Sequence, residues 1–110
     1  MPIPNSERLK QLFQFLKASP DDSFILFAIA KEYEGLKAIP QAFEYYHLLR
    51  DKTPDYVGLY YHLGKLYETQ EDWPTAIATY DKGMEVAKNQ GDRHALGELR
   101  GAREELEEFE

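Results

Sequence analysis

The sequence predicts an all-α protein in which pairs of helices repeat along the chain. The first indication is an internal period, because a shift of 34 positions superimposes identical residues in the 110-residue chain. The matched pairs are Lys31/Lys65, Tyr33/Tyr67, Glu34/Glu68, Pro40/Pro74, Ala42/Ala76 and Tyr46/Tyr80. The second indication is the spacing of apolar residues at three and four positions, which places them on one face of a helix. Such a period is typical of helical units that stack to bury their apolar faces.

Residues 6–18 form the first predicted helix. Asn5 or Ser6 can cap its N-terminus, and Pro20 follows its end. Its apolar face consists of Leu9, Leu12, Phe13 and Leu16. Because Pro20 lies 34 positions before Pro54, this helix matches the second helix of a repeat that lacks its first. We therefore expect an N-terminal capping helix here.

Two helix pairs follow, with repeat 1 at residues 22–55 and repeat 2 at residues 56–89. Aspartate caps helices and proline fits their first turn, so these residues mark the predicted helix starts. They are Asp21 or Asp22 and Pro40 for the helices of repeat 1, and Asp55 and Pro74 for the helices of repeat 2. Small residues at matched positions are predicted to let the two helices of each pair approach closely. They are Ala30, Ala42, Gly64 and Ala76.

A sixth helix is predicted at residues 92–109 as a C-terminal capping helix. Gly91 ends the fifth helix and Asp92 caps the sixth. The apolar face of the sixth helix consists of Ala95, Leu96, Leu99, Ala102, Leu106 and Phe109. The acidic run at residues 104–108 is predicted to be the solvated face of this helix rather than a binding tail.

The two helix pairs resemble the tetratricopeptide repeat (TPR), in the manner of a short bacterial TPR protein. Repeat 2 carries the family pattern as Tyr60-x-x-Leu63-Gly64-x-x-Tyr67 followed by Ala76-x-x-x-Tyr80. Repeat 1 carries it as Leu26-x-x-Ile29-Ala30-x-x-Tyr33, then Ala42-x-x-x-Tyr46 and Pro54. The resemblance implies an α-solenoid of about two and a half repeats, with six antiparallel helices and a capping helix at each end.

Two positions of repeat 2 depart from the family pattern. Gly83 stands where a small alanine is usual, and Lys88 replaces the closing proline. Because proline cannot continue a helix, its absence predicts that the last helix of repeat 2 extends beyond its normal end.

Composition argues against several classes of function. The chain has no cysteine, which excludes disulfides and thiolate metal sites. Its formal net charge of −7 argues against nucleic acid as a partner, because phosphate binding needs a clustered basic face. His47, His62 and His94 fall in three predicted helices without metal-ligand spacing, so we expect neither a metal nor another cofactor.

The sequence also lacks a recognisable signal for a membrane or for secretion. The N-terminus has no positively charged start, and the longest apolar stretch, residues 24–30, is too short to span a bilayer. We therefore expect one domain, residues 1–110, that works in the cytoplasm without a membrane partner.

The resemblance implies that the first helix of each repeat lines a concave groove in which a protein or peptide binds. The groove residues would be Phe24, Phe27, Lys31, Glu34, Tyr61, His62, Lys65 and Glu68. Aromatic side chains would supply contact area, and the lysines would meet carboxylates of an extended peptide. In the alternative reading, Lys31 with Glu34 and Lys65 with Glu68 are ordinary surface ion pairs that contribute little.

A sub-type of the family binds the carboxylate of a chaperone tail through a clamp of lysine and asparagine residues. In this sequence the clamp positions hold Phe27, Lys31 and His62. We therefore do not expect a heat-shock chaperone tail as the ligand.

Two other classes of function remain open. The capping helices or exposed aromatic residues could join two copies into a homodimer. An enzyme would need Glu34 and Glu68 to act as an acid–base pair, but Lys31 and Lys65 beside them favour two ionised carboxylates. We therefore expect a binding scaffold with no catalytic residues.

Overall fold

The computed structural model describes residues 6–110, and the predicted cap Asn5 lies outside them. The six predicted helices are all present, and the described residues contain no strand. The helices are α1 Glu7–Ala18, α2 Ser23–Gly35, α3 Ile39–Lys52, α4 Gly58–Thr69, α5 Trp73–Gln90 and α6 Arg93–Glu104. A 3₁₀ turn at Glu107–Phe109 follows α6.

The helices form two compact units that divide after Tyr56. In unit 1, α2 and α3 pack against each other, and α1 packs on α2. In unit 2, α5 packs against both α4 and α6, and α6 also contacts α4. Each unit thus contains one complete helix pair, α2 with α3 or α4 with α5, and one further helix, α1 or α6.

Side-chain caps begin four of the helices. The Ser6 hydroxyl accepts a hydrogen bond from the Leu9 amide, and the Asp22 carboxylate accepts from two amides at the start of α2. Asp72 and Asp92 cap α5 and α6 in the same way. The caps at Ser6, Asp22 and Asp92 confirm the predictions, while Asp72 caps the helix that was predicted from Pro74 alone.

The predicted cap Asp55 is wrong. α4 begins at Gly58, and the position before it, Val57, makes no side-chain hydrogen bond to the helix. The physical reason is the position of Asp55: it lies two residues before the capping position, where Val57 has an aliphatic side chain without a hydrogen-bond acceptor.

The turn inside each helix pair is built in the same way in both units. Lys37 and Glu71, 34 residues apart, both adopt left-handed backbone conformations with φ of 62° and 57°. Around Lys37, the Ala38 amide donates to the Tyr33 carbonyl at 2.9 Å, which is the closing bond of a Schellman motif. Glycine normally occupies this position, so both turns carry a side chain where the backbone disfavours one.

Small residues lie at the helix crossings, as predicted. Ala30, Ala42 and Ala76 are fully buried, and a Cβ atom added to Gly64 would overlap the ring of Tyr80. The crossings therefore depend on the absence of larger side chains, because interhelical distances are set by the residues at the contact.

Gly83, which departs from the family pattern, compensates for a larger neighbour. A Cβ atom at Gly83 would lie 2.5 Å from the Cβ atom of Tyr60. At the matching positions unit 1 has Leu26 and Leu49, both fully buried. Where unit 1 has two leucines, unit 2 therefore has one larger residue, Tyr60, and one smaller residue, Gly83. The total volume of the pair in the core stays similar.

The C-terminal part of the chain agrees with one prediction and corrects another. α5 has 18 residues, whereas the matching α3 has 14, so the extension predicted from Lys88 is confirmed. The helix predicted at residues 92–109 instead ends at Glu104 and is followed by the 3₁₀ turn. In a longer α6, the glutamates at 104, 105, 107 and 108 would lie at the C-terminus, the negative end of the helix dipole. This repulsion favours an end of α6 at Glu104.

Candidate functional site

The first helix of repeat 1, α2, presents one exposed and one packed aromatic residue. Phe24, in the first turn of α2, is 70% exposed. Phe27 is half-buried, with its ring centroid 5.4 Å from that of Tyr56 and 6.3 Å from that of Tyr46. Of the two predicted groove aromatics, Phe24 is thus available for contact, whereas Phe27 contributes mainly to packing within unit 1.

Glu34, on the same helix, is held by the second helix of its own repeat. The hydroxyl of Tyr46 donates a 2.7 Å hydrogen bond to the Glu34 carboxylate. Burial raises the pKa of Tyr46, and the hydrogen bond to Glu34 raises it further. The hydroxyl therefore remains a donor across the physiological range. Lys31 lies half-buried one turn before Glu34.

Unit 2 has the same pair at the matching positions. The Tyr80 hydroxyl donates a hydrogen bond to Glu68, and burial together with this bond raises the pKa of Tyr80. The tyrosine–glutamate pair was not foreseen from the sequence. A signal was present, since both tyrosines and both glutamates recur in the 34-residue period.

Lys65, on α4 of unit 2, lies near two carboxylates and one aromatic ring. Its Nζ atom lies 3.6 Å from Glu68 and 4.0 Å from Glu105. It also lies 5.6 Å from the ring centroid of Tyr61, within cation–π range. The ion pair with Glu68 is the one that the alternative reading expected. The ammonium group is therefore already neutralised by its own chain, although a third of the Lys65 side chain is exposed.

The remaining predicted groove residue, His62, lies beside Tyr61. The two rings meet edge to face at 5.5 Å and 84°. Both side chains are half-buried on α4. Unit 2 thus brings together Tyr61, His62, Lys65 and Glu68, and unit 1 brings together Phe27, Lys31 and Glu34 on α2 with Phe24 one turn earlier.

Other polar groups offer less for chemistry. Within residues 6–110, no three histidine, aspartate or glutamate side chains converge as metal ligands. His47 packs against the ring of Phe43 on α3, where burial lowers its pKa. No helix in this part of the chain has the length and apolar character that a bilayer crossing requires.

Comparisons with known proteins find similarity among solved structures. No family sequence model matches the chain, and no curated protein sequence matches it. The crystal structure of a tetratricopeptide repeat domain protein from Salinibacter ruber is 40% identical, with a TM-score of 0.76, over 81% of this chain and 99% of that chain. A solution NMR structure of such a domain protein from the same organism is 41% identical, with a TM-score of 0.78, over 83% of this chain and 92% of that chain.

More distant structures share the fold. A protein from Bordetella parapertussis is 22% identical, with a TM-score of 0.79, over 94% of this chain and 89% of that chain. The TPR2B domain of yeast Sti1, solved in a complex with pHsp70, is 16% identical, with a TM-score of 0.83, over 93% of this chain and 82% of that chain.

Proposed function

The chain belongs to the tetratricopeptide repeat family, and on that premise we propose that it is a scaffold that binds a protein or a peptide through the first helices of its repeats. The predicted all-α TPR fold is confirmed by these relatives and by the six helices. Helical repeats of this family are generally used for protein binding. The partner and the surface that it contacts are the proposal.

The exposure of Phe24 is the observation that carries the proposal. A phenylalanine that is 70% exposed leaves a large apolar area in water, and such residues are common in interaction surfaces. It lies on α2, the kind of helix that lines the concave face in this family. An aromatic residue there would contribute contact area to a bound peptide.

The predicted groove residues divide into two groups on this account. Phe24, Lys31, Tyr61, His62 and Lys65 would contact the partner. Glu34 and Glu68 would fix the surface, because each accepts a hydrogen bond from a tyrosine of the neighbouring helix. Phe27 would stabilise α2 through its packing against Tyr46 and Tyr56.

Support for a peptide as the partner comes from the distant structure. The Sti1 domain is in a complex with pHsp70, which shows that this fold accommodates such a partner in that protein. The clamp positions of the present chain hold Phe27, Lys31 and His62, so we propose a ligand other than a heat-shock chaperone tail.

Capture from a bacterial lysate tests the proposal. The immobilised chain is compared with a Lys31→Glu/Lys65→Glu variant, and bound proteins are identified by mass spectrometry. The matched control is Lys10→Glu/Lys82→Glu, which makes the same charge change at two exposed lysines outside α2 and α4. We expect a protein that is captured by the wild type and the control and lost from the Lys31/Lys65 variant. Equal capture by all three would refute binding at these helices.

A homodimer is the second candidate, and a specific feature of α1 favours it. Phe15 is 59% exposed, which leaves most of its ring in water. A second copy could cover this apolar area. Light scattering over a hundredfold concentration range would show a mass that doubles, and a Phe15→Ser variant would stay at 12.8 kDa. A constant mass for the wild type would refute the dimer.

The proposed role is binding rather than catalysis. Each candidate carboxylate accepts a hydrogen bond from a buried tyrosine, which suits a fixed structural group. NMR titration of Glu34 and Glu68 tests this, because ordinary pKa values would leave no acid–base pair. We also propose that the protein works in the cytoplasm. The formal net charge of −7 supports a partner other than nucleic acid.

A further inference from the structure

The six residues after α6 contact side chains of α4 and α5. The carboxylate of Glu105 lies 4.0 Å from the ammonium group of Lys65 on α4. Four residues later, the ring of Phe109 stacks on Trp73 at the start of α5, with centroids 4.3 Å apart and planes 13° apart. Leu106 lies between them in the sequence and is buried. We call residues 105–110 the C-terminal segment.

The contacts of this segment lie at the surface, except for that of Leu106. The side chain of Glu105 is 73% exposed, and Phe109 is 40% exposed. A long, exposed ion pair contributes little to stability, and a half-exposed ring contact contributes about 1 kcal/mol. The 3₁₀ geometry at residues 107–109 also gives poorer hydrogen bonds than an α-helix. Glu105 and Phe109 are therefore held by surface contacts, whereas Leu106 is held in the core.

The position of Glu105 matters because Lys65 belongs to the proposed binding surface. Lys65 is the ammonium group on α4 that would meet a carboxylate of the partner, and Glu105 already offers it one. Glu105 also lies close enough to contribute to the raised pKa of Tyr80, together with Glu68 and Tyr61. The segment thus places a carboxylate within the cluster formed by Tyr61, Lys65 and Glu68.

Trp73 adds an aromatic platform to this surface. It is the single tryptophan of the chain, and its exposed face is occupied by Phe109. Flat stacking on tryptophan is a favourable contact for an aromatic side chain, and a second peptide could supply the same ring. Lys65 and Trp73 thus contact a carboxylate and, four residues later, an aromatic ring of the same segment.

Arg103 binds the last residue of the segment, Glu110. Its guanidinium group donates a 3.0 Å hydrogen bond to Asp81 on α5 and also pairs with Glu110. The chain end is thereby tied to α5 by charge, and these exposed pairs weaken as salt concentration rises. The C-terminal segment is held closed by contacts that a competing peptide could replace one by one.

We propose that the C-terminal segment is a displaceable internal ligand of unit 2, which covers Lys65 and Trp73 until an acidic peptide with an aromatic residue takes its place. This inference rests on the proposed function and specifies its partner: a peptide with a carboxylate and, four residues later, an aromatic ring. The segment itself has that chemistry, with glutamates at positions 105, 107, 108 and 110 and Phe109. The free surface is available only in the fraction of molecules in which the segment is open.

Isothermal titration calorimetry measures this exchange without depending on the Trp73 environment, which a phenylalanine of the peptide would restore. The titrant is a synthetic peptide with the sequence of residues 104–110. The peptide is added to the wild-type chain and to a Glu105→Gln/Phe109→Ala variant, which keeps the buried Leu106. We expect the variant to bind the peptide roughly tenfold more tightly than the wild type, because no internal ligand competes.

Three controls isolate the cause. A Glu107→Gln variant removes the same charge from the segment at an exposed position and should bind the peptide like the wild type. Adding Lys65→Gln to the double variant should abolish the tighter binding. A peptide with glutamine and alanine at the positions of Glu105 and Phe109 should not bind. Thermal melting of each variant shows that its fold is intact.

Equal peptide affinities for the wild type and the double variant would overturn the internal ligand, as would the absence of peptide binding to both. A wild-type dimer in light scattering that is lost in the double variant would also overturn it, since the segment would then be exchanged between copies. The proposed function has a separate outcome. Capture that depends on Lys31 and Lys65 can persist when the peptide affinities are equal, which would refute the internal ligand alone.

Discussion

The hydroxyl of Tyr46 donates a hydrogen bond to the carboxylate of Glu34, which joins the two helices of repeat 1 from the side of the proposed binding surface. Tyr80 and Glu68 repeat the contact 34 residues later. A charged residue on the first helix of each repeat is therefore positioned by a buried residue of the second helix. This relationship links the core of each helix pair to the surface that we propose for the partner.

Removing the Tyr46 hydroxyl should destabilise the chain. Tyr46→Phe leaves Glu34 without its donor, and we expect a loss of about 1–2 kcal/mol in the free energy of unfolding, since water can reach the half-buried carboxylate. Urea denaturation measures the change. Tyr45→Phe is the matched control, because in the described part of the chain the Tyr45 hydroxyl is not bonded to a carboxylate. A loss equal to that of the control would contradict a contribution from the Tyr46–Glu34 bond.

Stability should fall in alkaline solution. The pKa values of Tyr46 and Tyr80 are raised in the folded chain above the ordinary value of 10.0, mainly by burial. Above that pH the unfolded chain loses protons that the folded chain retains, so the free energy of unfolding decreases as pH rises. The contribution is fully present below about pH 10. Urea midpoints measured on both sides of pH 10 should fall for the wild type and fall less for Tyr46→Phe/Tyr80→Phe. Parallel curves would show that these hydroxyls do not control the decrease.

A methyl group at Gly83 should be destabilising. The added Cβ atom would meet the Cβ atom of Tyr60, which is backbone-anchored and cannot rotate away. We expect Gly83→Ala to cost about 1–3 kcal/mol through overpacking. Gly97→Ala on the exposed side of α6 meets no neighbouring atom and should instead stabilise by about 0.5–1 kcal/mol, because alanine favours helices. The same sign for both substitutions in thermal melts would contradict the crossing described for α4 and α5.

Glycine should be stabilising at Lys37. The left-handed backbone at φ 62° disfavours any residue with a Cβ atom, and glycine relieves that cost. We expect Lys37→Gly to raise the free energy of unfolding by about 0.5–1 kcal/mol. Lys82→Gly makes the same chemical change inside α5 and should lower stability by about 1 kcal/mol. A destabilised Lys37→Gly variant would mean that this turn holds Lys37 through its side chain.

The helices could be predicted from the sequence because their signals are local. Asp22, Asp92 and Gly91 mark helix ends through short-range hydrogen bonds and backbone conformation, and these act independently of the rest of the fold. Asp55 misled the prediction because it lies two residues before the capping position, Val57. The early end of α6 could not be read from its apolar spacing, because Phe109 fits that face yet instead stacks on Trp73, 36 residues earlier in the chain.

The proposed binding surface was harder to predict, since its properties depend on contacts between helices. The sequence placed Phe24 and Phe27 on one helix but did not distinguish the exposed ring from the packed one. It suggested the pair of Lys65 with Glu68 through their spacing, because residues three apart share a helix face. It gave no sign that Glu105 reaches the same lysine, because that contact depends on how the chain turns after α6.

Site-specific photo-crosslinking tests the central claim most directly. A benzophenone amino acid replaces Phe24 on α2 in one variant and Leu48 on α3 in another, since Leu48 is an exposed apolar residue of the second helix. The account predicts that a protein in lysate is crosslinked from position 24 and not from position 48, and that Lys31→Glu/Lys65→Glu abolishes this crosslink. Crosslinks from position 48 alone, or from neither position while the partner is still captured, would contradict binding through the first helices of the repeats.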